Sequence, residues 1–443
     1  MTRSLALGLA LAAAFGCATA RKESQNGAGG APVTSPPAAP RTAASEPATA
    51  SSATATPTLA ASVASAALGL PESHRLCVGG GHTCFVDREH TLWCWGNNYF
   101  GAIGVGTHGF GGRMEDMDTE HTAVKRPTRV PSLERRVQSV ACGSGGTCAV
   151  TVDGQLYCWG QGEGREVLQD FADSPLPRDV GGKVIGLALK REHACALRED
   201  RTLWCWGANV YGALGRGPRD PNEKRGYVAA TEVKGLRAGV AVAAVLGQAS
   251  CALLVDGSLW CWGGNDQGEL GDGSFERRYT PVQVSPPTRF AALAGGDRHA
   301  CGWTLEHKLL CWGTNVEGQL GNGEIPKSNR PFFPSAQTVG HDFSGLRSLD
   351  LGTEETLAVD GKGELYAWGD QQWALRGITP APDPKPHRVP LPGRAVEIRA
   401  NDTHRCALLE DDGVWCWGNG ENYALGNGSD QNHTEPVRVT FSK

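Results

Sequence analysis

The sequence predicts an all-β fold: a seven-bladed β-propeller whose blades are four-stranded antiparallel sheets. Three observations lead to this prediction. A Trp-Gly dipeptide recurs seven times, at intervals of 47 to 64 residues. Each copy contains short alternating apolar runs separated by glycine turns, and a proline-containing run follows it, as is typical of a propeller blade. The tryptophans are Trp95, Trp159, Trp206, Trp262, Trp312, Trp368 and Trp417.

The four strands of a blade can be placed within each copy. The first is a run rich in alanine and glycine, such as residues 291–296, and the second begins at a cysteine. The third is the Leu-Trp-Cys-Trp segment, and the fourth contains proline, as in 280–284. Proline is tolerated there because an outer edge strand needs no N–H on its solvent side. The last proline strand, 435–439, has no copy after it, so we expect this C-terminal strand to join the N-terminal blade and close the ring.

Six copies carry two cysteines ten residues apart, the second directly before Trp-Gly. In the sixth copy both are absent together and are replaced by Leu357 and Ala367. A turn such as Asp256-Gly257 midway between the cysteines would place them opposite each other on one face of a hairpin. The pattern therefore predicts six local disulfides; the alternative is a row of reduced, buried cysteines. The predicted pairs are Cys84 with Cys94, Cys148 with Cys158, Cys195 with Cys205, Cys251 with Cys261, Cys301 with Cys311, and Cys406 with Cys416.

Residues 1–20 have the features of an export signal. Arg3 precedes an apolar run, 5–15, that is too short to span a bilayer. Two processing sites compete: residues 18–20 fit ordinary cleavage, whereas 14–17 resemble a bacterial lipoprotein box that would leave Cys17 as a lipidated first residue. We therefore expect an exported protein, either a lipoprotein anchored to the outer membrane or a periplasmic or extracellular one. Its contact with a membrane would be made only through this lipid.

The number of cysteines agrees with the lipidation of Cys17. Of fifteen cysteines, twelve lie in the repeat pairs, which leaves Cys17, Cys77 and Cys142. Cys77 and Cys142 occupy neighbouring positions in the first two copies and could join them, and whether they do stays open. Residues 21–71 are mostly Ala, Pro, Ser, Thr and Gly, so they predict a disordered tether. The propeller is expected to occupy 72–443.

The repeats resemble those of the regulator of chromosome condensation (RCC1) family. The resemblance rests on runs such as 297–301 followed by 310–321, and it covers roughly residues 74 to 440. Repeats two and six depart from the pattern after Trp-Gly, at 161–168 and 370–377. The resemblance implies a seven-bladed propeller, in agreement with the repeat count.

The family implies different functions for different members. Its eukaryotic founder exchanges nucleotide on a small nuclear GTPase and binds chromatin through a basic tail. The present chain has a net charge of −5, and its N-terminal tail has only Arg21, Lys22 and Arg41 as basic residues. We therefore expect neither nucleotide exchange nor nucleic-acid binding. Exported bacterial propellers with this repeat include a β-lactamase inhibitor, which implies that the fold can serve as a rigid platform for gripping proteins.

Four histidines recur two residues before a cysteine: His82, His193, His299 and His404. Because the position holds Gly, Ala or Glu in the other copies, we interpret it as a structural element that bonds a neighbouring loop, not as a catalytic or metal-binding residue. The cysteine spacing does not suit zinc, and no nucleophile elbow, phosphate loop or zinc-protease helix motif is present. No catalytic residue, metal or cofactor is predicted.

Loops are the better candidates for recognition, since the strands supply only a scaffold. The insertion 105–125 is acidic and could bind a basic partner or a cation, although a solvated loop is the plainer interpretation. The insertion 216–227 is more basic, and an atypical loop holds an aromatic residue that would be either an exposed anchor or part of the core. The candidate binding residues are Met114, Glu115, Asp116, Asp118, Glu120, Arg219, Lys224, Arg225 and Trp373.

The sequence thus favours a monomeric, non-catalytic binding or scaffold propeller in the cell envelope. Its partner would be an unidentified protein or envelope polymer. The alternative is a hydrolase or lyase with its site at the mouth of the propeller channel. Three or more His, Asp or Glu side chains converging there would favour the enzyme, whereas a plugged mouth would favour binding.

Overall fold

The computed structural model describes residues 74–441 except 107–122, 135, 161–171, 192, 219–226, 344 and 371–381. The export signal, Cys17 and the tether of 21–71 therefore lie outside the described residues. Within the described part, no helix is long and apolar enough to cross a membrane.

The described residues form seven four-stranded antiparallel sheets, each built from four strands consecutive in the chain. This confirms the predicted seven-bladed propeller. The strands are β1 Leu76–Val78, β2 His82–Val86, β3 Leu92–Asn97 and β4 Ala123–Arg129 in blade 1; β5 Val137–Cys142, β6 Gly146–Thr151, β7 Leu156–Gly160 and β8 Ala172–Pro177 in blade 2; β9 Val184–Lys190, β10 His193–Arg198, β11 Leu203–Ala208 and β12 Tyr227–Glu232 in blade 3; β13 Val240–Val245, β14 Ala249–Leu254, β15 Leu259–Gly263 and β16 Arg278–Gln283 in blade 4; β17 Phe290–Gly295, β18 His299–Thr304, β19 Leu309–Thr314 and β20 Phe332–Thr338 in blade 5; β21 Leu346–Leu351, β22 Glu355–Asp360, β23 Leu365–Gly369 and β24 Asp383–Val389 in blade 6; and β25 Ala395–Ala400, β26 His404–Leu409, β27 Val414–Gly418 and β28 His433–Arg438 in blade 7. Within the described part of the chain, the 3-10 turns Pro131–Leu133 and Glu421–Tyr423 lie in connections.

All six predicted cysteine pairs are bonded, each across the hairpin of the second and third strands of its blade. The two cysteines of a pair are directly opposed in register, and their Cα atoms are 4.1 Å apart in every case. The bonds join Cys84 to Cys94 in blade 1, Cys148 to Cys158 in blade 2, Cys195 to Cys205 in blade 3, Cys251 to Cys261 in blade 4, Cys301 to Cys311 in blade 5, and Cys406 to Cys416 in blade 7. The alternative of reduced, unpaired cysteines at these positions does not describe this structure.

Two further observations complete the cysteine pattern. Leu357 faces Ala367 at the same register in blade 6, so this blade keeps the hairpin without the bond. Cys77 and Cys142 also pair, with Cα atoms 5.4 Å apart, and this bond joins the inner strands of blades 1 and 2. The question that the sequence left open about these two cysteines is thereby answered.

The expectation that the C-terminal strand joins the N-terminal blade is wrong. Strand β28 pairs with β27 of its own blade, where Val437 lies opposite Cys416. Blade 1 has its own inner strand, β1, in which Cys77 lies opposite Cys84. The described propeller therefore starts with an inner strand and finishes with an outer one, and each of its seven sheets has four strands.

Side-chain contacts, not a shared strand, close the ring between blades 7 and 1; we call this contact the closing seam. The C-terminal Phe441 packs against three aromatic rings of blade 1, those of Phe85, Trp93 and Trp95, with ring centroids 5.7, 5.5 and 6.2 Å away. These rings belong to one buried cluster with Leu408, Val414 and Leu425 of blade 7. Arg75 adds an ion pair to Asp412, with a nitrogen–oxygen distance of 2.8 Å.

The Trp-Gly tryptophans lock consecutive blades together. The indole of Trp312 in blade 5 donates to the carbonyl of Glu269 in the glycine loop of blade 4, at 2.9 Å. Gly271 at the end of that loop has φ +64°, and a Cβ there would lie 2.7 Å from the indole nitrogen. The glycine loop thus approaches the ring of the next blade too closely for a side chain. The same indole bond recurs in Trp95, Trp159, Trp262 and Trp368.

Candidate binding face and channel mouth

The topology gives the propeller two distinct faces. The connections from first to second strand and from third to fourth strand lie at one end of the blades, which we call the loop face. The hairpin turns between second and third strands, and the links to the next blade, lie at the other end, the turn face. In the chain, all three predicted recognition loops lie between a third and a fourth strand.

The candidate residues in these loops fall outside the described residues, and their role stays a prediction. They are Met114, Glu115, Asp116, Asp118, Glu120, Arg219, Lys224, Arg225 and Trp373.

The described part of the loop face carries exposed apolar residues that the sequence reasoning missed. Val210, Phe275 and Ile325, in blades 3, 4 and 5, are 48%, 44% and 38% exposed. Aromatic and basic side chains lie in the same loops: the guanidinium of Arg277 sits 4.8 Å from the ring centre of Tyr211. The sequence signal that could have predicted these exposed residues is an apolar residue at a turn position in several successive glycine loops.

A buried asparagine holds the glycine loop in shape in blade 4 and in blade 5. The side-chain oxygen of Asn265 accepts the N–H of Leu270 at 3.0 Å, and its amide donates to Glu276 at 2.9 Å. Asn315 makes the equivalent bonds to Leu320 and Glu324. Because these asparagines are fully buried, the loops present their exposed residues from a fixed backbone.

At the loop face, the central channel is closed by polar side chains from four blades. Lys190 of blade 3 reaches across the channel and donates to the carbonyls of Leu351 at 2.8 Å and Gly295 at 3.2 Å. Its neighbour Arg191 pairs with the buried Asp297 of blade 5. Thr353 of blade 6 donates to Asp297 and also contacts Asp402 of blade 7.

Opposing effects act on the pKa of Asp297. Burial alone would raise it, but the hydrogen bond from Arg191 and the charges of Lys190 and Arg191 outweigh burial and lower it. Asp297 is therefore an ionised partner in a paired plug. A general acid would instead need a raised pKa.

The recurring histidines are buried and bind the neighbouring blade, which agrees with their predicted structural role. Nε2 of His82 lies 2.9 Å from the hydroxyl of Thr147 in blade 2, and this hydroxyl donates to the carbonyl of Ala102 at 2.8 Å. Since the hydroxyl hydrogen is used on the carbonyl, the histidine must donate from Nε2. The indole of Trp159 donates to the same carbonyl.

The same arrangement is found at three other blade contacts, including the closing seam. The pairs are His193–Ser250, His299–Thr356 and His404–Thr83. Burial lowers the pKa of His82 and His193 to about 4, and that of His299 and His404 to about 3. All four are neutral at physiological pH and offer no proton-transfer function there.

At the remaining three blade contacts, other residues that fit each other stand at the histidine position and the hydroxyl position. Between blades 6 and 7, Glu355 stands at the histidine position and Arg405 at the hydroxyl position, and Nε of the arginine lies 2.7 Å from a carboxylate oxygen. Both side chains are almost fully buried. Burial raises the pKa of Glu355, and Arg405 opposes this. The two other contacts have small residues at both positions, Gly146 with Ala194 and Ala249 with Ala300.

Among the described residues, the only cluster of three or more His, Cys, Asp or Glu side chains close enough to share a metal is Cys77, Cys84 and Cys142. These sulfurs belong to two disulfides, so they offer no thiolate ligand. In the described part of the chain, the charged side chains at the channel mouth are held in ion pairs and hydrogen bonds.

The fold and this face define a class: a repeat propeller that holds rigid loops on one face around a closed channel mouth. Comparison with known proteins gives the family. The chain belongs to the RCC1-like domain family, which it matches over residues 47–372, and residues 411–443 match the regulator of chromosome condensation (RCC1) repeat.

Individual relatives are distant. The chain is 26% identical over 370 residues to the ultraviolet-B receptor UVR8 of Arabidopsis thaliana, a match that covers 81% of this chain and 68% of the receptor. It is 25% identical over 405 residues to the guanine nucleotide exchange factor SRM1 of Saccharomyces cerevisiae, covering 82% and 73%. The crystal structure of Prp20p from Saccharomyces cerevisiae superposes with a TM-score of 0.68 at 21% identity, covering 86% of this chain and 89% of that one. This last likeness shows the fold alone.

Proposed function

We propose that this chain is a non-catalytic binding propeller, exported to the cell envelope, that recognises a protein or envelope polymer through its loop face. The observation that carries the proposal is the contrast at that face. Apolar side chains are exposed on loops held by buried asparagines, while the channel mouth between them is closed by paired charges. Fixed loops with exposed apolar and aromatic groups are suited to recognition.

The comparisons support a binding role in general terms. One relative is named as a receptor, and the solved structure is described by its binding properties to Gsp1p and histones. Nucleotide exchange, the activity for which SRM1 is named, is not part of the proposal. The reasons are the export signal that the sequence predicts for residues 1–20 and the net charge of −5.

Export and anchoring form a separate part of the proposal. The N-terminal signal supports export, and lipidation of Cys17 would tether an otherwise monomeric propeller to the outer membrane. Cys17→Ala should then release the protein from the membrane fraction into the soluble envelope fraction. If the Cys17→Ala protein stays in the membrane fraction, or if the native chain begins after residue 20, the lipid anchor is wrong.

Site-specific photo-crosslinking in intact cells tests the loop face. A photoreactive phenylalanine analogue would replace Phe275 or Ile325 on the loop face, and Val152 on the turn face as the matched control, because Val152 is 53% exposed. We expect an adduct of one defined mass from Phe275 and Ile325 and none from Val152. Adducts from Val152 alone, or equal adducts from both faces, would contradict the assignment. An adduct of twice the chain mass would identify a second copy as the partner.

A further inference from the structure

The central channel is a second feature, separate from the loop face. Its cavity of about 750 Å³ is lined by the inner strands of all seven blades. This volume lies within the range of small-ligand and peptide sites, roughly 300–1,000 Å³. What could occupy it is decided by the chemistry of its wall, which differs from one side to the other.

On blades 6, 7 and 1 the wall includes polar side chains among apolar ones, and they already bond to its strand edges. The N–H of Ala400 donates to Asp350 at 2.7 Å, and the N–H of Ile398 donates to Ser348 at 3.2 Å. The N–H of Arg75 donates to Glu397 at 3.2 Å. This side therefore offers few free backbone groups to a ligand.

On blades 3, 4 and 5 the wall is apolar, and its strand edges are free. The inner strands β9, β13 and β17 expose half-buried side chains to the channel, including Leu187, Val242 and Leu293. Each is the edge strand of its sheet, so alternate N–H and C=O groups point into the channel. Within the described residues, no N–H group of 185–189, 241–245 or 291–294 donates a hydrogen bond to a neighbouring blade.

The two ends of the channel differ in their lining residues: paired polar side chains cross it at the loop face, and solvent-exposed side chains line it at the turn face. Lys190 and the Arg191–Asp297 pair close it at the loop face. At the turn face the cavity is lined by Leu305, which is 47% exposed, and by the exposed Arg289. We therefore expect an occupant to enter from the turn face, end first.

The dimensions suit one extended chain. Six-residue inner strands are about 20 Å long, so the cavity has a mean cross-section of roughly 38 Å². A strand within stacked sheets occupies about 4.8 by 10 Å, or roughly 48 Å². The channel is thus narrower than the space of an average strand within stacked sheets. It has no room for two strands, and an inserted strand would need small side chains.

We propose that the channel binds the end of an extended apolar peptide chain, about six residues with small side chains, which pairs with a free edge of β9, β13 or β17. Such a peptide supplies N–H and C=O groups to the free edge and methyl groups to Leu187, Val242 and Leu293. A fatty acyl chain would fill the same space but would leave the N–H and C=O groups of the strand edge without hydrogen bonds, which is unfavourable. Arg289 at the entrance favours an acidic residue just outside the inserted segment.

Fluorescence anisotropy with the full mature chain tests this proposal. The probe is a hexapeptide of alternating valine and alanine, followed by a Glu-Gly-Ser spacer and a fluorophore, with a second probe of reversed orientation. The matched control peptide carries N-methyl groups on alternate residues, which removes edge pairing and keeps the side chains. We expect one orientation to bind and the N-methylated peptide to bind at least tenfold more weakly.

Two variants with the same change in charge locate the site. Leu293→Glu places a carboxylate in the channel and should weaken binding at least tenfold, whereas Ile325→Glu on the loop face should leave it unchanged. A thermal melting temperature close to that of the wild-type chain would show that each variant is folded. In the wild-type chain, peptide binding should also slow hydrogen exchange in 241–245 and 291–294 but not in 396–400, a measurement that needs no variant.

The proposal is overturned if neither probe binds or if the N-methylated peptide binds as well as its parent. Displacement of the probe by dodecanoate at equal potency would identify an acyl chain as the occupant instead. Equal weakening by both variants would place the peptide outside the channel.

Discussion

The closing seam is the one blade contact that no covalent link spans, so its strength should control the stability of the ring. Phe441 is the last described residue, and it covers Phe85, Trp93 and Trp95 of blade 1. We predict that Phe441→Ala destabilises the whole propeller, although it removes no strand.

The magnitude follows from the contacts. A fully buried Phe→Ala change costs about 3–5 kcal/mol, and Phe441 is only partly buried. Its edge-on contacts to two tryptophans each add about 0.5–1.5 kcal/mol beyond area burial. We expect the free energy of unfolding to fall by about 2–3 kcal/mol.

Equilibrium urea unfolding with the disulfides intact measures this loss. Phe275→Ala serves as the control, because it removes the same ring from an exposed loop and should change stability by less than about 0.5 kcal/mol. Hydrogen exchange should also rise on both sides of the seam, in 92–97 and 414–418. If Phe441→Ala costs no more than Phe275→Ala, the side-chain closure described above is wrong.

Three further predictions concern the blades and their contacts. Acid should destabilise the fold, because the four buried histidines have a pKa of about 3–4 in the folded chain and about 6.5 in the unfolded chain. Their contribution to stability is complete above pH 6.5 and falls as the pH is lowered towards 4. At pH 5 the free energy of unfolding should be lower by about 2 kcal/mol per histidine. Replacing His193 by Ala, the residue of blade 4 at this position, should reduce the loss between pH 7 and pH 5 by about that amount; an unchanged pH profile in urea unfolding would refute the assignment. Glu355→His or Arg405→Thr alone should lower the free energy of unfolding by about 3–5 kcal/mol, because each leaves a buried charge or an unmatched group. The double variant recreates the histidine–hydroxyl pair and should recover most of this loss. Additive losses in the double-mutant cycle would argue against the pairing. Blade 6, which lacks the hairpin disulfide, should open first, and mass-spectrometric hydrogen exchange in 350–368 as slow as in the bridged hairpins would contradict this.

The repeat count and the hairpin register could be predicted because both are local. Ten residues between cysteines and a turn midway fix the pairing of Cys251 with Cys261 without reference to any other blade. The closure prediction failed because β1 has only three residues and was not recognised as a full inner strand. With β1 counted, each proline strand already belongs to its own blade.

The histidines were predicted to bond a neighbouring loop, but their partner residues in the next blade were not predicted, although the sequence contained a signal for them. The residue at the histidine position of one repeat changes together with the hydroxyl position of the next repeat, which is the residue directly after that repeat's own histidine position. Where one repeat has His, the next has Thr or Ser; where one has Gly or Ala, the next has Ala; and Glu355 is matched by Arg405. The plug at the channel mouth left no comparable signal, since Lys190, Asp297, Thr353 and Asp402 come from four blades and meet only across the ring. The long recognition loops have no repeat register, so their residues stay predictions.

A disulfide map of the chain, isolated from its own cells with free thiols blocked at lysis, tests most directly whether the propeller consists of separately complete, oxidised blades. We predict six linked pairs within hairpins, a seventh link between Cys77 and Cys142, and no cysteine of the propeller carrying the blocking group. Blocked thiols at the hairpin positions, or links between blades other than the one joining Cys77 to Cys142, would contradict the blade register, the oxidising location, or both.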